Sequence, residues 1–89
     1  MEPIEIENVR LDPQIGDGIL FTVALAGISH RFFISRDTLK EVTRTQLGTN
    51  QDMFAAFERI NERVIQAVAN TLRFGTSPKV TFLKTAFFD

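Results

Sequence analysis

The chain has 89 residues, 44% hydrophobic and 24% charged, with 10 basic against 11 acidic side chains and a formal net charge of −1. That is enough for one domain with a real core, and it lacks the excess positive charge that draws a protein to nucleic acid or an anionic membrane. With no Cys and a single His, disulfides, thiolate metal sites, thiol nucleophiles and a His-rich metal cage are excluded.

In chain order, Met1 is followed by the acidic run "EPIEIE" instead of a basic start and an apolar segment, so a cytoplasmic setting is expected. The longest apolar stretch, "GILFTVALAGI", is well short of the roughly 20 residues a spanning helix needs. "IEIENV" predicts a first strand, with Ile4 and Ile6 alternating against Glu5 and Glu7. "LDPQIGDG" follows with Pro13, Gly16, Asp17 and Gly18, a concentration of turn formers. "ILFTVALA" predicts a second strand that sets Ile19, Phe21, Val23 and Leu25 on one face and Leu20, Thr22, Ala24 and Ala26 on the other. Neither face is polar, so cover on both is expected. Gly27 marks a tight turn, and "SHRFFIS" predicts the returning strand of a hairpin.

Helix signals begin at Ser35, a good N-cap, with Asp37 in the first turn where a negative charge meets the helix dipole. Leu39, Val42 and Leu47 make a short apolar stripe that Gly48 ends. Thr49 or Asn50 caps a second, long helix, "QDMFAAFERINERVIQAVANTLRFG". Its Met53, Phe57, Ile60, Val64, Ala67, Val68 and Leu72 recur at steps of three and four, and Gly75 and Pro78 stop it. "KVTFLKTAFF" predicts a closing strand. The order ββ(β)ααβ predicts an α+β fold over residues 1–89: a small antiparallel sheet covered by one short and one long helix.

The chemistry-bearing residues resolve mostly into local structure. Ser29 and His30 are neighbours on a strand and point to opposite faces, so they cannot act as nucleophile and base. An enzyme centred on His30 therefore ranks third among the readings. Arg36, Lys40 and Arg44 fall four apart on the first helix, a basic ridge that Arg31 extends and that could touch phosphate. Asp37 with Lys40 and Glu41 with Arg44, each at a spacing of three, would neutralise it. Asp12, Gln14 and Asp17 lack the closing Glu of a calcium loop. Gly16 and Gly18 precede a strand, whereas a phosphate loop follows one. Glu58 and Glu62 sit beside Arg59 and Arg63, which reads as surface pairing.

Three stretches, "GILFTVALAGISHRFFISRDTL", "FAAFERINERVIQAVANTL" and "VTFLKTAFFD", resemble the small bacterial domain of unknown function 1488 (DUF1488). The resemblance runs through Ile34, Ser35 and Leu39, then Phe57, Arg59 or Arg63, Ile65 and Ala69, then Val80 through Phe88. It implies the same strand hairpin, helix and terminal strand, and it brings no activity and no cofactor. The sequence as a whole predicts a non-enzymatic interaction module without a cofactor, self-associating as a dimer. Leu83 and Phe87 would share an uncovered apolar face with Phe33 and Leu20, and Phe88 would add to the contact surface. A nucleic-acid-associated accessory protein using Arg36, Lys40 and Arg44 is the alternative, and no membrane role is expected.

Overall fold

Gly27 adopts φ +77°, and Leu25 pairs with Ile28 across the turn it shapes. This positive φ suits a hairpin's tight turn and favours glycine. The computed structural model describes residues 4–25, 27–75 and 79–88. In it β2 (Gly18–Leu25) and β3 (Ile28–Ser35) pair antiparallel along their whole length, and β1 (Glu5–Leu11) pairs antiparallel with β2. A bulge shifts the β1 register between Glu7 and Arg10, with Asn8 at φ 53°. Between β1 and β2 the backbone turns on Asp12: its carbonyl accepts from the Ile15 and Gly16 amides, and its side chain accepts from the Gln14 amide. Asp12 is thus a turn residue.

Three helices follow: α1 (Arg36–Thr43), α2 (Asn50–Arg59) and α3 (Asn61–Phe74). Ser35 caps α1, its Oγ accepting from the Thr38 amide at 3.1 Å, and Thr49 caps α2, its Oγ1 accepting from the Asp52 amide at 3.0 Å. The single long helix expected from periodicity is two helices. They meet at Ile60 (φ −103°, ψ 22°), outside the helical region. The break carries no Pro or Gly, and buried Met53, Phe57, Ile60, Val64 and Val68 keep their spacing across it, so the pattern reads as one.

The closing strand is also shorter than expected. β4 is Thr81–Phe82, pairing parallel with β3 through Phe32↔Thr81 and Phe33↔Phe82, after which Thr85–Phe88 form a 3₁₀ turn. A parallel neighbour needs a long crossover connection, and the three helices between β3 and β4 supply one. The sheet is therefore mixed, in order β1-β2-β3-β4, while the α+β class and the strand-before-helix order are as expected. The core lies between sheet and helices, where Ile19, Phe21, Val23, Phe32 and Ile34 meet Leu39, Met53, Phe57, Val64 and Val68. Phe21 stacks on Phe32 at 5.8 Å and meets Phe57 at 5.2 Å.

At Gly18 a side chain has no room: a Cβ would overlap the Ile34 carbonyl oxygen and fall 2.8 Å from Phe33 Cζ. Gly18→Ala is expected to cost about 1–3 kcal/mol of stability in urea unfolding. Gly48→Ala, where nothing lies within 4 Å, is expected to change it by about 0.5 kcal/mol or less. Equal losses at both positions would refute this packing.

Candidate functional site

The basic ridge expected along α1 is interrupted at both ends. Arg36 is committed to the fold. Its Nη1 donates to the Leu47 carbonyl at 2.8 Å and its Nη2 to Asn50 Oδ1 at 2.9 Å. Nε stands 2.9 Å from Asp17 Oδ2, an ion pair whose N–H is misaligned for a hydrogen bond. Its backbone amide donates to the Asp17 carbonyl at 2.8 Å. Arg44 lies beyond the last residue of α1 in a left-handed conformation, φ 53°, so it does not continue the helical face. Lys40, half-buried, is the one of the three that is both on the helix and without an assigned structural partner among the described residues.

The expected pairs Asp37–Lys40 and Glu41–Arg44 do not form: among the described residues the one ion pair is Arg36–Asp17, and Glu41 instead accepts from the Thr85 hydroxyl at 2.9 Å. Arg59 and Arg63 likewise leave Glu58 and Glu62. Arg63 Nη1 donates to the Val42 carbonyl at 3.3 Å and Arg59 Nη2 to Thr45 Oγ1 at 3.4 Å. Both cations thus reach the negative, C-terminal end of α1.

His30 is half-buried opposite Val23, Ser29 is exposed opposite Ala24, and no hydrogen bond to the His30 ring is found among the described residues. No group of three or more His, Asp or Glu able to hold a metal occurs among them either. A cleft of about 300 Å³ beside the 12–18 turn is lined by Leu11, Pro13, Gly16, Asp17, Gly18 and Asn50, with both Asp17 and Asn50 already bound to Arg36. Among the described residues no helix is long and apolar enough to cross a membrane.

The apolar face expected to unite Leu20, Phe33, Leu83 and Phe87 is divided between the two sides of the sheet. Leu83 is buried in the helix-side core, and Phe87 and Phe88 are half-buried against that core. Because β4 ends at Phe82, the strand alternation that grouped these residues does not extend to them. The 3₁₀ turn instead ties Phe87 to α3, its carbonyl accepting from Asn70 Nδ2 at 3.1 Å. Leu20 and Phe33 form a directly opposed pair on the outer side of the sheet, both buried.

Two aromatics stay in water. Phe82 is 53% exposed and packs edge-on against Phe33 at 5.5 Å; Phe74, at the end of α3, is 81% exposed and lies 5.9 Å from Phe87. The sequence reading missed both, because strand and helix periodicity identify which residues can face a core and not where the neighbouring element stops.

In fold the chain is similar to a crystal structure of a protein of unknown function from the DUF1488 family of Shewanella loihica PV-4. The TM-score is 0.74 over 91% of this chain and 92% of that one, at 16% sequence identity. At that identity the likeness carries the fold, as the resemblance implied. No family model matches the sequence, and no curated protein matches it.

Arg36 and Arg44 are therefore expected to differ sharply on truncation. Arg36→Met should lower stability by about 1.5–3 kcal/mol, leaving partners of a charged donor unpaired, while Arg44→Ala should change it by about 0.5 kcal/mol or less. Chemical denaturation of the two variants side by side measures this, and a ridge acting only as solvated surface predicts equal, small effects.

Proposed function

We propose that this chain is a small non-enzymatic interaction module of the bacterial cytoplasm, and that its first partner is a second copy of itself. One observation carries the reading. Phe82 and Phe74 remain in water while the core beneath them is complete, and each is held against another Phe. Large aromatics fixed by their neighbours offer contact area with little ordering to lose, which is why they are enriched at the centres of interfaces. A two-fold dimer is the commonest closed way for one surface to cover itself.

The non-enzymatic part rests on His30 and on Arg36. His30 stands apart from Ser29, its nearest nucleophile in sequence, and Arg36 is engaged by Asp17, Leu47 and Asn50. His30→Gln is expected to preserve the circular dichroism spectrum and any host phenotype of the wild-type protein. A folded variant that loses the phenotype would restore the catalytic reading.

Sedimentation velocity at micromolar concentration tests self-association directly. The expected species is a dimer of the 10.1 kDa chain, and the double variant Phe74→Ser/Phe82→Ser is expected to sediment as a monomer with its helical dichroism retained. A wild-type monomer throughout that range refutes the reading.

A further inference from the structure

The strand registers arrange the outer face of the sheet, the side away from the helices, in rows that cross all or most of it. One row runs Glu7, Thr22, Arg31; the next runs Arg10, Leu20, Phe33, Phe82. Cover over this face comes from the turn before β2, which brings Gly16 against the Phe33 ring where β2 begins at Gly18, and from Phe82. Glu7, Arg10, Arg31 and Phe82 are all exposed. The β1 side carries Glu5 and Glu7, with Arg10 donating back to the Asn8 carbonyl at 2.9 Å. The β3–β4 side carries Arg31 and the Phe82 ring.

From this arrangement we propose that two copies stack through their outer sheet faces about a two-fold axis running along the strands between β2 and β3. The proposal rests on the self-association reading and assigns it a surface. Such an axis keeps each row in place and exchanges its ends. β1 of one copy then lies over β4 of the other and β2 over β3, with Arg10 above Phe82 and Glu7 one strand spacing, about 4.8 Å, to the side of Arg31, where the two long side chains pair diagonally, each contact made twice. Along the Thr22 row, beyond the turn that covers Leu20 and Phe33, sheets stacked face to face are about 10 Å apart, a gap that Glu and Arg side chains bridge from opposite sides. Arg10 over the Phe82 ring is a cation–π geometry. The other in-plane axis, across the strands, lays each strand on its own copy, so that when it passes through the Glu7–Thr22–Arg31 row it sets Glu7 over Glu7 and Arg31 over Arg31, where like charges oppose. Charge complementarity therefore selects the copy's own face as the occupant and fixes its orientation.

Charge exchange tests this. Arg31→Glu alone and Glu7→Arg alone are each expected to weaken the dimer about tenfold or more, since each opposes like charges twice. An equimolar mixture of the two variants is expected to recover association. In that heterodimer the arginine introduced at position 7 faces the glutamate introduced at position 31, and the unaltered Arg31 faces the unaltered Glu7. Phe82→Ser weakens the dimer, Phe74→Ser alone leaves it, and raised salt weakens the wild type by screening. The milder Arg31→Gln should weaken it in the same direction, which keeps the test open should a charge reversal disturb folding. A wild-type dimer indifferent to Arg31→Glu and Arg31→Gln, or a mixture that stays monomeric, overturns this face while leaving self-association standing. A wild-type monomer overturns both.

Discussion

The placement of the helices depends on how the chain leaves β3, and that exit is fixed by Ser35 and Arg36. Ser35 is the last residue in the ladder with β2, opposite Gly18, and at φ −73°, ψ 157° it is still extended while its hydroxyl caps α1. Strand becomes helix within one residue. Arg36 then holds the direction. Its amide bonds to Asp17, and its guanidinium reaches the Leu47 carbonyl and the Asn50 side chain, where α2 begins. One side chain thereby joins the turn before β2, the start of α1 and the start of α2. The connection between the two helices is drawn over the sheet, Leu47 is buried, and Met53 and Phe57 of α2 come down on the Phe21 side of the core. Gly18 is the complementary requirement, because any Cβ there would push against the Ile34 carbonyl from which this exit begins.

What could be read from the sequence were the features whose cause is local. The Ser35 cap, the Gly27 hairpin, the turn at Pro13 to Gly18 and the inward face of β2 each follow from a residue and its near neighbours. What could not be read were choices made at long range. Arg36 has its side-chain partners 11 and 14 residues ahead and 19 behind, whereas a helical-face reading compares it with residues three and four away. The parallel pairing of β4 is made possible by the long route through three helices, and β4 stops after two residues where the 3₁₀ turn docks onto α1 and α3 through Thr85 and Asn70. The break at Ile60 leaves the apolar stripe in step, so no pattern based on spacing registers it.

The misplacement of the aromatic residues has the same origin. Assigning Leu83 and Phe87 to one face assumed a strand that continued to the end of the chain. Once β4 stops, Leu83 turns into the helix-side core and Phe87 is carried to α3, while Phe82 stays on the outer face. Similarly, the pairing of Glu58 and Glu62 with the adjacent arginines assumed that neighbouring opposite charges meet. Arg59 and Arg63 instead reach across to Thr45 and to the Val42 carbonyl, where the last carbonyls of α1 have no intrahelical donor.

The outer face shows how a chain this short manages a sheet with two apolar sides. The helices line the core on one side, so the other side must be covered by whatever is nearby. The 12–17 turn reaches the Phe33 end of that face, where the large side chains Leu20 and Phe33 sit; farther along, the face carries Thr22, Ala24 and Ser29, small enough to meet water. At the β4 edge the cover over Phe33 is Phe82 itself, and nothing as large lies over Phe82 among the described residues. Removing that ring would uncover Phe33, so packing within one copy already requires an aromatic at the sheet surface. In the proposed dimer, the same side chain that completes the outer side of the sheet would be the one held rigidly for a second copy to meet. Stability and association would there converge on Phe82, while the charges of Glu7 and Arg31, which the monomer leaves unpaired with one another, would bear on association alone.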